Sequence, residues 1–371
     1  MTFETDRSLH AEPAPTPGRY WHLLDDGRVQ CDLCPRYCRL NEGQRGLCFV
    51  RARQNDGIQL VTYGRSSGFC VDPIEKKPLN HFYPGTPVLS FGTAGCNLTC
   101  KFCQNWDISK SRETDTLADE ATPGQIAAAA AALGCRSVAF TYNDPVIFLE
   151  YAVDVAAACH DRGIGTVAVT AGEICPEPRR EFYGCMDAAN VDLKAFTDRF
   201  YEKICGGKLA TVLDTLVYVA SQTNVWLETT TLLIPQENDS TPELEAMTRW
   251  VVAELGPDVP MHFTAFHPDW KMTDKPHTPA STLTRARAIA LDNGVRHAYT
   301  GNVHDRRGAS TYCHACSLEL IGRDWYVLHD WNLTADGRCG RCGTPCPGRF
   351  DGPPGRWGAK RQAVRLRDFS T

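Results

Sequence analysis

Cys96, Cys100 and Cys103, in the run Gly95-Cys96-Asn97-Leu98-Thr99-Cys100-Lys101-Phe102-Cys103, offer three thiols at positions i, i+4 and i+7 just after a short apolar stretch at residues 88–91. Thiolates so spaced in a loop can wrap one corner of a [4Fe–4S] cubane, which ordinarily takes four Cys ligands. With three, one iron stays open, and an open iron can chelate a substrate. A three-Cys zinc site is the competing reading. Zinc knuckles usually have two-residue gaps and a fourth protein ligand close by, whereas here the first gap is three residues and the nearest other cysteine is Cys70. Phe102, just before the last thiol, is suited to shielding one cluster face.

The chain holds 18 cysteines in 371 residues. Two further groups stand apart from the central one. Cys313-x2-Cys316 and Cys339-x2-Cys342 form two knuckles 22 residues apart, the spacing of a zinc ribbon, with Cys346 as a spare or alternative ligand. Cys31, Cys34, Cys38 and Cys48 suit structural zinc or an auxiliary cluster. Zinc is preferred there, because small loop-rich modules need a metal to fold. The scattered Cys70, Cys135, Cys159, Cys175, Cys185 and Cys205 read as small buried hydrophobes.

These thiols need a scaffold, and residues 86–305 supply its pattern. Strand-like runs at 88–91, 137–141, 166–170, 191–193, 225–233 and 261–265, with a short last one at 297–300, alternate with helical stretches near 122–133, 146–161, 209–222, 242–255 and 282–293. Thr122 is the expected N-cap of the first helix. The alternation predicts parallel βα units. Six or so units fit an α/β fold built as a partial (β/α)6 TIM-type barrel, and the cysteine loop then lies at the C-terminal face where barrels place their sites. A doubly wound sheet has the same local pattern.

Around this core we expect a flexible leader (1–19), a Cys-rich N-terminal module (20–85), a zinc-ribbon-like module (306–352) and a solvated basic tail (353–371) with Arg356, Lys360, Arg361, Arg365 and Arg367. A net charge of −5 gives no reason to expect nucleic acid, and no apolar run reaches the ~20 residues of a membrane span. The polar, Pro-rich start lacks a signal peptide's apolar core, so the expected location is cytoplasmic.

Taken together, several segments resemble the radical SAM (S-adenosylmethionine) superfamily, within it the pyruvate formate-lyase activating enzyme group, and there the radical SAM component of the AmmeMemoRadiSam system. They are Cys31-Asp32-Leu33-Cys34-Pro35-Arg36-Tyr37-Cys38, Gly43-Gln44-Arg45-Gly46-Leu47-Cys48, Asp72-Pro73-Ile74-Glu75-Lys76-Lys77-Pro78-Leu79, the cluster loop with Cys103-Gln104-Asn105-Trp106, Val191-Asp192-Leu193-Lys194, and Phe266-His267-Pro268-Asp269-Trp270. The likeness runs from about Cys31 to Arg349. It implies a [4Fe–4S] cluster whose open iron binds SAM, reductive cleavage to a 5′-deoxyadenosyl radical, and hydrogen abstraction from a substrate. It also implies that Asn143 and Asp144 receive the SAM amino group, that Asp192 and Lys194 line the SAM pocket, that His267 stands at the adenosine end, and that Phe102 and Gln104 belong to the cofactor side. Ala171 departs from the Asn expected after the third strand, and Glu173 could alter what sits over the pocket.

The leading function is therefore a SAM-cleaving enzyme acting on a small molecule or protein. The alternatives are a glycyl-radical enzyme activase and, from another class, a non-catalytic metal-binding scaffold. Implied partners are an electron donor such as flavodoxin or ferredoxin, and Memo-like and Ammecr-like proteins.

Overall fold

The computed structural model of the protein describes residues 16–111 and 119–369. Seven parallel strands form its centre: β1 (Pro87–Phe91), β2 (Ser137–Phe140), β3 (Gly165–Thr170), β4 (Ala188–Asp192), β5 (Trp226–Leu233), β6 (Met261–Ala265) and β7 (Ala298–Gly301). They neighbour one another in chain order. A doubly wound sheet reverses direction at a switch point; this one does not, so the barrel reading holds and the alternative falls. The strands are Val-, Ala-, Thr- and Phe-rich and buried on both faces, as parallel strands covered by helices must be.

Six helices connect or flank them: α1 (Pro123–Ala132), α2 (Leu149–His160), α3 (Pro176–Gly184), α4 (Leu209–Gln222), α5 (Thr241–Trp250) and α6 (Ala280–Asp292). Thr122 caps α1 as expected, in a capping box with Gln125. Helix α3 escaped the sequence reading. Its segment Pro176-Glu177-Pro178-Arg179-Arg180-Glu181 has no apolar period, but both prolines sit in the first turn, where no N–H is needed.

The barrel does not close, and its edge runs beyond the expected 86–305. Phe69–Pro73, assigned by sequence to the N-terminal module, pairs antiparallel with β1. Gln362–Val364, from the expected solvated tail, pairs antiparallel with that strand in turn. The tail is thus an ordered edge: Val364 and Leu366 are buried while Arg365 and Arg367 face out, a period-2 pattern that the basic residues concealed. Of the expected leader, residues 1–15 lie outside the described residues, and Thr16–Pro17 pairs with Leu60 and Gln59.

The N-terminal module consists of two three-stranded antiparallel sheets. A buried ion pair ties it to α2, Arg51 Nη1 reaching both Glu150 oxygens at 3.0 and 2.8 Å. The C-terminal module is built on another three-stranded sheet, Thr311–Tyr312, Glu319–Asp324 and Val327–Trp331. Trp325 and Tyr326 form the turn between its second and third strands. Buried Arg323 bonds the Asn80 carbonyl at 2.6 Å, while the Asn80 and His81 N–H groups bond Glu228 near the start of β5. This module therefore seals the N-terminal end of the barrel and leaves the C-terminal end for chemistry.

Candidate active site

The loop after β1 is held from three sides. Asn143, just past β2, accepts from Thr93 N–H at 3.1 Å and donates to the Gly95 carbonyl at 2.8 Å. The helix Asp198–Phe200 continues into a π-turn, Tyr201–Cys205, and ends at Gly206 with φ +66°. A helix end leaves carbonyls without intrahelical donors. Here Thr99 and Lys101 N–H of the cluster loop bond the Cys205 and Ile204 carbonyls at 2.8 and 3.0 Å. A Cβ on Gly206 would lie 2.2 Å from Thr99 Oγ1, so only glycine permits this docking. Glu173 completes the brace: its carbonyl accepts from Asn97 Nδ2 at 2.9 Å and its carboxylate from Lys208 N–H. It is buried and locks loop to loop rather than covering the pocket.

Cys100 is buried, and Cys96 and Cys103 are partly so. Cys96 accepts from Leu98 N–H and Cys103 from Asn105 N–H, and the Lys110 ammonium bears on all three sulfurs. Burial pushes the Cys96 thiol up to about 12, with Asp144 adding to the shift. Cys100 moves the other way, because the Cys205 thiol donates to it, with help against burial from Lys194 and Lys110. Cys205, read from sequence as an inert hydrophobe, is thus a neighbour of the central thiol. Three soft, desolvated donors in one loop fit an iron–sulfur cluster with one ligand position left to a non-protein group.

The other expected site residues gather around this loop with different occupations. Lys194 Nζ pairs with Asp192 Oδ2 at 2.6 Å at the end of β4. Burial opposes the Lys194 charge, but Asp192 and the thiols of Cys100 and Cys205 raise its pKa well above the usual value. Phe102 is buried against Phe200, with ring centroids 5.8 Å apart. Gln104 Nε2 meets His267 Nδ1 at 3.0 Å on an exposed rim.

Asp144 is more committed than the sequence suggests. Its carboxylate accepts from Val146 N–H (3.1 Å), Thr170 Oγ1 (2.9 Å) and Ala171 N–H (3.1 Å), and burial raises its pKa. Asn143 likewise has both amide atoms on the cluster loop. Thr230 on β5 went unnoticed in the sequence; its buried Oγ1 has no partner among the described residues, and the strand register sets it beside Asp192.

The outer cysteines also sort themselves. Cys313 and Cys342 sulfurs lie 3.6 Å apart, as do those of Cys316 and Cys339, and all four fall within 4.8 Å of one another. Cys346 belongs elsewhere: it is buried with His81 and His297, 265 and 49 residues away in sequence, a grouping no spacing could reveal. Cys31, Cys34, Cys38 and Cys48 line a single pocket.

Residues 91–247 match the sequence model of the Radical SAM superfamily. The chain is 39% identical over 325 residues to uncharacterized protein MJ0808 of Methanocaldococcus jannaschii, spanning 87% of this chain and 96% of that one. Among solved structures, a radical SAM methyltransferase from Sphaerobacter thermophilus is similar with a TM-score of 0.49 at 15% identity, over 77% of this chain and 76% of that one. A domain of pyruvate-formate lyase-activating enzyme from Bacteroides vulgatus matches with a TM-score of 0.40 at 17% identity, over 45% of this chain and 99% of that one. The protein belongs to the radical SAM superfamily, whose chemistry rests on SAM and an iron–sulfur cluster.

Proposed function

We propose that this chain cleaves SAM reductively at a [4Fe–4S] cluster held by Cys96, Cys100 and Cys103, and uses the 5′-deoxyadenosyl product to take hydrogen from a substrate. The observation that carries this reading is the three-thiol loop, docked by its own N–H groups onto the end of helix 198–205 at the C-terminal end of the sheet. The cluster, when bound, supplies the electron. The chain's own residues orient and exclude: Asn143 fixes the start of the loop, Phe102 keeps water from one side, and Lys110 and Lys194 set positive charge beside the thiolates. Asp192, Lys194 and the unpartnered Thr230 hydroxyl offer polar contacts to SAM from β4 and β5.

Asp144 reaches the SAM ammonium, on this reading, only through what remains of a carboxylate already shared by three donors. Asp144→Asn, which can keep the Oδ1 acceptor of Val146 N–H and the Thr170 hydroxyl while losing the one for Ala171 N–H, is therefore a cleaner probe than truncation. Cys313, Cys316, Cys339 and Cys342 hold zinc. A flavodoxin- or ferredoxin-type carrier supplies electrons, and Memo-like and Ammecr-like proteins act beside the enzyme. All 18 cysteines are free, which suits a reducing, cytoplasmic setting, and no single helix among the described residues is long and apolar enough to cross a membrane.

The test is anaerobic reconstitution, reduction with dithionite and assay of 5′-deoxyadenosine. Single Cys96→Ala, Cys100→Ala or Cys103→Ala changes should abolish it, and Cys135→Ala or Cys159→Ala should not. Absence of product from wild-type protein with its full iron content would overturn the reading.

A further inference from the structure

The N-terminal thiols Cys31, Cys34, Cys38 and Cys48 share their pocket with Arg36, Gly46, Arg51 and Asn97. The strand Val29–Cys31 delivers the first, and a bond from Cys31 N–H to the Cys38 carbonyl at 2.9 Å folds the next two back on it. Cys38 accepts from Leu47 N–H at 3.5 Å; burial raises the thiols of Cys31, Cys34 and Cys48, and against it bear Leu33 N–H at Cys31, Arg36 N–H at Cys34, and Val50 and Arg51 N–H at Cys48. The Arg51 guanidinium bears on both Cys31 and Cys48. Donors aimed at sulfur and a buried cation are what thiolate ligands need.

Spacing then separates one ion from a cluster. Four sulfurs around one zinc, tetrahedral at ~2.3 Å, stand roughly 3.8 Å apart. The C-terminal quartet has that compactness, with its 3.6 Å pairs. The N-terminal quartet does not: among the described residues, no three of its sulfurs lie within 4.8 Å of one another, and the same is true of Cys96, Cys100 and Cys103. Yet the four face one pocket, and a Cβ on Gly46 would sit 3.6 Å from the Cys38 sulfur and 3.7 Å from that of Cys48. They converge, but around something wider than an ion.

The pocket also backs directly onto the cluster loop. The Cys48 carbonyl is so close to Gly95 that a Cβ there would lie 1.9 Å from it. Arg36 Nε donates to the Asn97 carbonyl at 2.9 Å, and its guanidinium also bonds the Gly206 carbonyl. Asn97, next to Cys96, forms part of the pocket wall.

We propose that Cys31, Cys34, Cys38 and Cys48 hold a second [4Fe–4S] cluster, placed behind the cluster loop as a one-electron relay. In that role a low-potential one-electron carrier protein reduces this cluster by one electron. The cluster is reoxidised as it passes the electron to the cluster at Cys96, Cys100 and Cys103, with no bond made or broken. The relay rests on the proposed function; the metal assignment does not.

Anaerobically reconstituted wild-type protein should contain roughly eight irons and eight sulfides per chain, against roughly four of each if the N-terminal site takes zinc. The variant with Cys96, Cys100 and Cys103 all changed to Ala should keep roughly half of that iron and sulfide, with a paramagnetic signal on reduction. Two zinc ions per chain and no sulfide in that variant would overturn the assignment, and should the variant not fold, the wild-type count decides. In dithionite-reduced wild type, the two clusters should broaden each other's electron-spin resonance; two spectra that simply add would overturn the relay. Failure of SAM cleavage would instead appear as missing 5′-deoxyadenosine at full iron content, leaving these counts untouched.

Discussion

Changing Gly95 to Ala would test the joint between the N-terminal module and the cluster loop. Gly95 has φ +82°, where an L-residue costs about 1–2 kcal/mol. The added methyl would also lie 1.9 Å from the Cys48 carbonyl oxygen and must retreat to at least 3.0 Å. Backbone faces backbone here, so no side chain can swing away. The retreat strains two bonds that set the loop, Gly95 N–H to the Ile108 carbonyl (2.9 Å) and Asn143 Nδ2 to the Gly95 carbonyl (2.8 Å). Each is worth about 1 kcal/mol net, and relieving an overpacked contact adds roughly 1–3 kcal/mol. The local cost is thus on the order of 4–7 kcal/mol, enough to displace the loop. Gly134→Ala is the control, since its φ is +66° but no described residue lies within 4 Å of the new Cβ; it should show the backbone term alone. The assay is iron content, 5′-deoxyadenosine formation and chemical denaturation of both variants beside wild type. If Gly95→Ala keeps its iron and loses no more stability than Gly134→Ala, the close approach of Cys48 to the loop is wrong.

Three further expectations follow from buried groups. Glu150→Gln leaves the buried Arg51 charge uncompensated and should cost about 3–5 kcal/mol in urea unfolding, with the N-terminal module loosening first; a loss below about 1 kcal/mol would count against the pair. Burial holds the Glu173 carboxyl at about 7, above its ordinary 4.5, so the unfolded chain gives up this proton first. Its contribution to stability is present below pH 4.5 and lost as pH rises through 7. Glu173→Gln, which keeps the acceptor for Lys208 N–H, should flatten stability between pH 5.5 and 8 and gain up to about 3 kcal/mol at pH 8; an unchanged slope would refute this. Cys339→Ala should release one zinc and expose the chain after about Tyr312 to proteolysis, and because Gln362–Val364 then leaves the sheet edge, the barrel should lose stability as well. Zinc content equal to wild type would show the four thiols not to be its ligands.

Much of this protein is local and therefore legible in its sequence. The strand and helix periods, the Thr122 cap and the three-thiol loop each depend on residues a few positions apart, and each lies where its pattern places it. The grouping of Cys313, Cys316, Cys339 and Cys342 is equally local in origin, since each two-residue gap already pairs two sulfurs, and the four lie within 4.8 Å of one another. Sequence periodicity left open a barrel against a doubly wound sheet, because strand order is a property of the whole sheet; consecutive pairing from β1 to β7 decided it. Helix α3 and the tail strand were hidden by polar residues whose outward direction only packing fixes. Spacing also could not reveal what meets across distance: Cys205 beside Cys100, Cys346 beside His81 and His297, or Cys48 against Gly95. Nor could it tell that Asp144 spends its oxygens on Val146, Thr170 and Ala171. Residue types determine which chemistry is possible, but which donors remain free for a ligand depends on the neighbours that folding brings to them.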